Sequence, residues 1–190
     1  YSGKIPVVVD PDCTILKEWK PKILVDGILA KKNMGTTRDM ADSTIGLGPG
    51  FTAGEDVDAV IETMRGHNLG RIYYSGQAIS NTGKPAKIGG YDKERVIYSP
   101  VDGIVRCPGR IGEQINRGEQ IARIGELPVR AEISGILRGI LPEGFRATKG
   151  CKMADIDPRL EEKENCNTIS DKARCIAGGV LEAILCLENK

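Results

Sequence analysis

Residues 99–125 align with residues 131–157 at a constant offset of 32 and without a gap. Gly103, Ile104 and Arg106 fall on Gly135, Ile136 and Arg138, while Gly112, Gly118, Ala122 and Ile124 fall on Gly144, Gly150, Ala154 and Ile156. The pairs Val101/Ile133, Val105/Leu137, Arg117/Lys149 and Ile121/Met153 keep the same register. Glycines recurring at three equivalent turns mark an internal duplication. Each copy reads as strand, turn, bend and strand, because Gly103–Arg106 and Gln120–Ile124 alternate like strands with one buried face. The copies are predicted to superpose as halves of one compact β module related by a pseudo-two-fold axis.

The run from Ser99 to Ala122 resembles one half of a biotinyl or lipoyl domain, a barrel-sandwich built from two such halves. Carriers of that type hold their modified lysine on the hairpin joining the halves. Here that hairpin is Ile124–Arg130, which is short and has no lysine, so no cofactor is expected to be covalently bound. A scaffold or docking role remains. The formal net charge of +1, with both signs interspersed, favours neither nucleic acid nor an anionic membrane. No apolar run approaches the roughly 18 residues that span a bilayer, and the start lacks signal architecture, so a cytoplasmic protein is expected. Tyr1 in place of an initiator methionine, with a strand expected almost at once, points to an upstream segment. The six cysteines form no C-x-x-C pair and lie near no histidine, so free thiols are expected, with no metal site and no disulfide framework.

The first half reads as α/β. Val7–Asp10, Lys22–Gly27, Ser43–Leu47 and Arg71–Tyr74 are short strand patterns, Ile15–Lys20 a short helix, and about 53–65 a longer one. Strands alternating with helices suggest a partial Rossmann-like parallel sheet. Residues 76–95, which include Lys84 and Pro85, have linker composition. Ser170 caps a helix running to about Glu188, with a broad apolar face interrupted by Gly178-Gly179. Two helical glycines suggest close approach of another backbone or of a ligand. The expected organisation is an α/β part over 1–75 plus 165–190, a linker over 76–95, and the duplicated module inserted as 96–158.

Two segments of the α/β part carry candidate chemistry. In Gly48-Pro49-Gly50-Phe51-Thr52-Ala53-Gly54-Glu55, Thr52 and Glu55 have capping-box spacing, and Val57, Val60, Ile61 and Met64 follow at helical spacing. A glycine-rich turn feeding a capped helix suits phosphate or another anion. As a dinucleotide fingerprint it is one residue out of spacing, and no acid ends the following strand assigned at Arg71–Tyr74. A tight turn without ligand is the alternative. The second segment runs from Leu29 to Arg38 and brings Lys31, Lys32, Asn33, Thr36, Thr37 and Arg38 together after a strand end, where α/β sheets place ligands. A solvated connection is its alternative. His67, the only histidine, sits in a helix-to-strand turn and reads as structural.

Three stretches, Ile28–Thr37, Gly46–Gly70 and Ile169–Ala183, resemble the YqeB family of maturation proteins for selenium-dependent molybdenum hydroxylases. Members of that family carry an additional N-terminal Rossmann-type unit that this chain does not contain. The resemblance implies a cytoplasmic accessory factor that handles or inserts the molybdenum cofactor or its selenium. The implied ligand is a molybdopterin-type cofactor or a nucleotide; the candidates to hold it, taken from the lysine loop, the glycine turn and the turn after it, are Lys31, Lys32, Asn33, Thr36, Thr37, Arg38, Gly48, Gly50, Thr52, Gly54 and His67. The implied partners are the molybdenum hydroxylase apoenzyme or other maturation proteins, with a homo-oligomer as a further option. Two other classes compete. One is a docking module without ligand; the other is an enzyme transferring selenium or sulfur through a cysteine, for which Cys166 is the candidate because it precedes the Ser170 cap by four residues.

Overall fold

The computed structural model describes residues 3–83 and 87–189; Lys84 and Pro85 of the expected linker lie outside them. The chain divides into two compact units, Tyr1–Asn81 with Ser170–Lys190, and Thr82–Ile169.

In the first unit, Asp10 organises a short helix, α1 (Ile15–Glu18), by accepting the Ile15 N–H and the Thr14 hydroxyl, both at 2.8 Å. The strands are β1 (Ile23–Asp26), β2 (Ser43–Leu47), β3 (Thr52–Ala53), β4 (Ala59–Ile61), β5 (Ile72–Tyr73) and β6 (Gly76–Gln77). They make a four-stranded sheet in the order β1-β2-β4-β5, with the first three parallel and β5 antiparallel, and a separate β3–β6 pair. Helix α2 (Asp171–Glu188) starts where the Ser170 hydroxyl accepts the Ala173 N–H at 3.1 Å. It lays Ile176, Val180, Ala183, Ile184 and Leu187 over Ile45, Ala59 and Ile61. Gly179 lets the helix settle: a Cβ there would stand 2.2 Å from the Gly70 carbonyl oxygen, whereas at Gly178 it would meet open space. The opposite face of β4 contributes Val60 to a second core with Phe51, Ala53, Val57 and Ala78.

Three expectations need correction. The predicted helix over 53–65 is absent: Thr52 and Ala53 are strand, and Ala59, Val60 and Ile61 form a central strand buried on both faces. Such a strand needs a continuous apolar run, and this run coincides with a helical template by spacing alone. Val7–Val9 belong to no strand and are exposed. The parallel strands are not joined by Rossmann-type helices either: the β1–β2 crossover holds only the 3-10 turn Arg38–Met40, and the β2–β4 crossover holds β3.

The second unit contains β7 (Val96–Tyr98), β8 (Gly103–Arg106), β9 (Gln114–Ile115), β10 (Gln120–Ile124), β11 (Leu127–Arg130), β12 (Gly135–Ile140), β13 (Arg146–Ala147) and β14 (Lys152–Asp157). Its sheets run β11-β10-β8-β13 and β7-β14-β12-β9. Shifting either by one repeat generates the other, so each copy lends a strand to its twin's sheet. The hydrogen bonds follow the same rule. Gly112 N–H reaches Leu137 O as Gly144 N–H reaches Val105 O, at 2.8 and 2.9 Å; Gly118 N–H reaches Ala131 O as Gly150 N–H reaches Ser99 O, both at 2.8 Å. Both copies fill one core, with Val105, Ile121 and Ile124 against Leu137, Met153 and Ile156. At its end the Asp157 carboxylate, almost fully buried, is held by Arg138 at 2.9 Å and by Arg159 at 2.8 and 3.0 Å. Burial pushes that carboxyl up, but the Arg159 side chain and N–H, with Arg138, outweigh it and hold the pKa down at about 2. Among the described residues no helix is long and apolar enough to cross a membrane.

Candidate functional site

The carboxyl ends of β1, β2 and β4 lie side by side, and the loops leaving them converge. At the end of β1, nearly buried Asp26 accepts the Ile28 N–H at 3.0 Å and the Thr36 hydroxyl at 2.6 Å, tying the outgoing loop to the strand. Asn33 shapes that loop from within: its Oδ1 accepts the N–H groups of Gly35 and Thr36, and its Nδ2 donates to Thr36 O, all at 2.8 Å. Asn33 and Thr36 are therefore spent on fixing the backbone that presents Lys31 and Lys32, both exposed. Lys31 itself has a left-handed backbone, φ +66°, which for a residue with a Cβ needs support from its surroundings.

The turn after β2 supplies that support. A Cβ at Gly50 would lie 2.5 Å from the Lys32 Cα and 2.8 Å from its N, so the Lys32 backbone rests directly on the Gly48-Pro49-Gly50 turn. Only glycine permits the approach, and its φ of +109° excludes other side chains independently. The turn's other side abuts the end of β4 and the residues just past it, where a Cβ at Gly48 would fall 2.6 Å from the Thr63 hydroxyl.

Beyond β4, Glu62 is fully buried. One of its oxygens accepts the Met64 N–H at 2.7 Å and the other the Ile79 N–H at 2.9 Å, so its charge braces two turns. Arg65 follows, in a two-pronged pair with Asp171 at 2.6 and 2.9 Å. This brings in the first turn of α2 and with it half-buried Lys172. Burial, then the positive charges of Lys31 and Arg65, push the Lys172 ammonium below its usual range, against the pull of Glu62. With Arg65 paired to Asp171, Lys31 and Lys172 are the ammonium groups within electrostatic reach of one another, and Lys31 lies in the loop that rests on a glycine turn at the end of a parallel sheet, an arrangement that attracts an anion.

The other sequence candidates are engaged elsewhere. Arg38 grips Asp58 through Nε at 2.9 Å and Nη2 at 2.5 Å, and donates to Gly54 O at 3.1 Å. Burial pushes the Asp58 carboxyl up, but the N–H and hydroxyl of Thr44, together with Arg38, hold it below the usual carboxylate range. The Thr37 hydroxyl bonds Asp39. Thr52 caps no helix: in β3 its hydroxyl accepts the Gln77 side-chain amide at 2.8 Å, and its N–H goes to Asp56. His67 is exposed in the turn that Leu69 N–H closes onto Gly66 O. Cys166 belongs to the second unit, where its thiol donates to the Glu162 carbonyl at 3.8 Å.

Sequence reasoning missed Asp26, Glu62 and Lys172. The first two had a signal, since each directly follows a short apolar run. The central strand that follows the glycine turn is β4 and not residues 71–74, and an acid, Glu62, stands directly after it. Lys172 had no comparable signal.

No family model matches the chain. It is 52% identical over 188 residues to a curated protein of Escherichia coli (strain K12), "Uncharacterized protein YqeB", across 99% of this chain and 35% of that protein. The chain thus spans about a third of the length of that relative. Among solved structures, the product-bound ectoine utilization protein EutE (DoeB) from Ruegeria pomeroyi aligns with 44% of this chain and 27% of its own, at 18% identity and a TM-score of 0.28.

Proposed function

We propose that this YqeB-like chain is the anion-binding part of an accessory factor for a selenium-dependent molybdenum hydroxylase, one that handles the phosphate-bearing molybdenum cofactor or its selenium and passes it to the apoenzyme. The observation that carries the ligand class is the seating of the Lys31–Lys32 backbone on the Gly48–Gly50 turn, with Lys172 close enough to feel the Lys31 charge. The maturation role rests on the motif resemblance. A phosphomonoester fits this donor set by its chemistry: its two negative charges answer at least two ammonium groups that have no carboxylate partner among the described residues. Asp26 and Asn33 hold the loop in shape, so Lys31 and Lys32 need little reordering on binding. A nucleotide carries the same phosphate chemistry and is the control.

Charge-assisted hydrogen bonds to an anion are worth roughly 1.5–3 kcal/mol each. Lys31→Ala/Lys32→Ala is therefore expected to weaken binding at least tenfold in calorimetric titration with molybdopterin, while the melting temperature stays near the unsubstituted value, because both side chains are exposed. ATP measures how much of the affinity is phosphate alone. Equal affinities for the chain and its double variant would remove these lysines from the site. The docking-module reading would then lead, supported by the lysine-free two-residue turn Gly125-Glu126 and by the exposed apolar side chains Ile111 and Phe145 of the duplicated unit.

A further inference from the structure

Among the described residues, β2 is the only strand paired with β1. β1 is an outer strand whose sequence, Ile23-Leu24-Val25-Asp26, has no proline, lysine or bulge to discourage pairing along its free edge. Helix α2 packs over β2, β4 and β5. Apolar side chains near β1 in the sequence face solvent, among them Ile28 and Trp19, which is 63% exposed. α1 buries none of its residues.

The arm before α1 repeats the pattern. Ile5, Val7 and Val9 are 89%, 93% and 96% exposed. In an extended chain these three share one face, and their N–H groups point to one edge. Pro6 removes a donor only from the opposite edge, so the edge bearing Ile5, Val7 and Val9 is intact for pairing. Among the described residues, no hydrogen bond holds residues 3–9. A β-branched segment with one complete pairing edge and a bare apolar face has the makings of a strand that lacks its partner.

We propose that the Ile5–Val9 arm and the free edge of β1 are docking positions for β-strands of the polypeptide that the longer YqeB relative carries outside the matched 35% of its length. Open parallel sheets are ordinarily continued or covered on both sides, and the relative has about two-thirds of its chain left with which to do so. The inference rests on the family reading and is independent of the anion site.

The test is amide hydrogen exchange read by mass spectrometry on the 190-residue chain and on the intact Escherichia coli relative. Amides at positions equivalent to Val7–Val9 and Ile23–Val25 should exchange at least tenfold more slowly in the relative than in this chain. Aspartate placed in the relative at the two positions equivalent to Val7 and Val9 should return the arm to fast exchange. Lys31→Ala/Lys32→Ala should leave its protection unchanged, which separates failure of this proposal from failure of the ligand reading. Equal exchange in both proteins would overturn it. So would a sedimentation experiment in which the 190-residue chain dimerises and protects its own arm, since the occupant would then be a second copy.

Discussion

Two neighbouring glycines in α2 should respond to the same substitution with opposite signs. At Gly179 an added methyl would lie 2.2 Å from the Gly70 carbonyl oxygen, 3.1 Å from its carbon and 3.2 Å from Ile61 Cγ2. Carbon and oxygen sit in contact at roughly 3.3 Å, so the helix or the turn at Gly70 has to retreat by about 1 Å. That loosens Ile176 and Ala183 against Ile45 and Ile61. Overpacking of this kind costs about 1–3 kcal/mol, and a fixed backbone oxygen puts the case toward the upper end. Replacing a helical glycine by alanine returns about 1 kcal/mol. The net expectation for Gly179→Ala is a loss of about 2 kcal/mol. Gly178→Ala meets nothing within 4 Å and should gain about 1 kcal/mol. At roughly 2–4 °C per kcal/mol for a chain of this size, the two variants should melt about 6–12 °C apart by far-ultraviolet circular dichroism. If Gly179→Ala melts at or above the unsubstituted protein, or Gly178→Ala falls below it, the packing of α2 on the Gly70 turn is not what holds the helix.

Two further outcomes concern the duplicated unit. Asp157 has its folded pKa depressed to about 2 from 3.8, so its contribution is present above about pH 4 and is lost as pH falls toward 2. The unfolding free energy from urea titration should drop across that window by on the order of 2 kcal/mol, and Asp157→Asn should flatten the response; a stability of the unsubstituted protein that stays level between pH 4 and pH 2 would refute the ion-pair account. Gly112 and Gly144 have φ of +88° and +81° with open space around a notional Cβ. Alanine at either should cost about 1–2 kcal/mol through backbone strain alone, and clearly unequal losses in denaturant titration would contradict the equivalence of the two copies.

How much was legible depended on whether the signal was local. The repeat could be read because its turns need glycine, and glycine positions survive a comparison of two copies in one sequence. The start of α2 could be read because Ser170 has one use at that spacing. β1 and β2 were plain as short apolar runs bounded by polar or glycine residues. The segment 52–64 failed for a physical reason. Thr52 and Glu55 match a capping box, yet the N–H groups of Glu55 and Asp56 both turn back to Thr52 O, and Asp56, not Glu55, takes the Thr52 N–H. Val57, Val60 and Ile61 suit a buried strand better than a helix because β-branched side chains are cramped there. The site was legible in its parts, the lysine loop and the glycine turn. Their meeting at Gly50 depends on tertiary approach, and the addition of Lys172 depends on α2 returning to the sheet from far along the chain.

The strand exchange in the second unit bears on the order in which the chain folds. The unit's first and last strands are neighbours, with Val96 opposite Asp155. The first unit is interrupted by the 88 residues Thr82–Ile169. While those residues are unfolded, joining the halves of the first unit closes a loop of that length. Once β7 has paired with β14, only the flanking residues on either side of the pair remain as slack, about a third as many. By the logarithmic dependence of closure entropy on length, this lowers the barrier to bringing α2 onto its sheet by about 1 kcal/mol. A duplicated unit that folds before the first unit would thus act as a clasp, speeding completion of the first unit several-fold without touching a ligand.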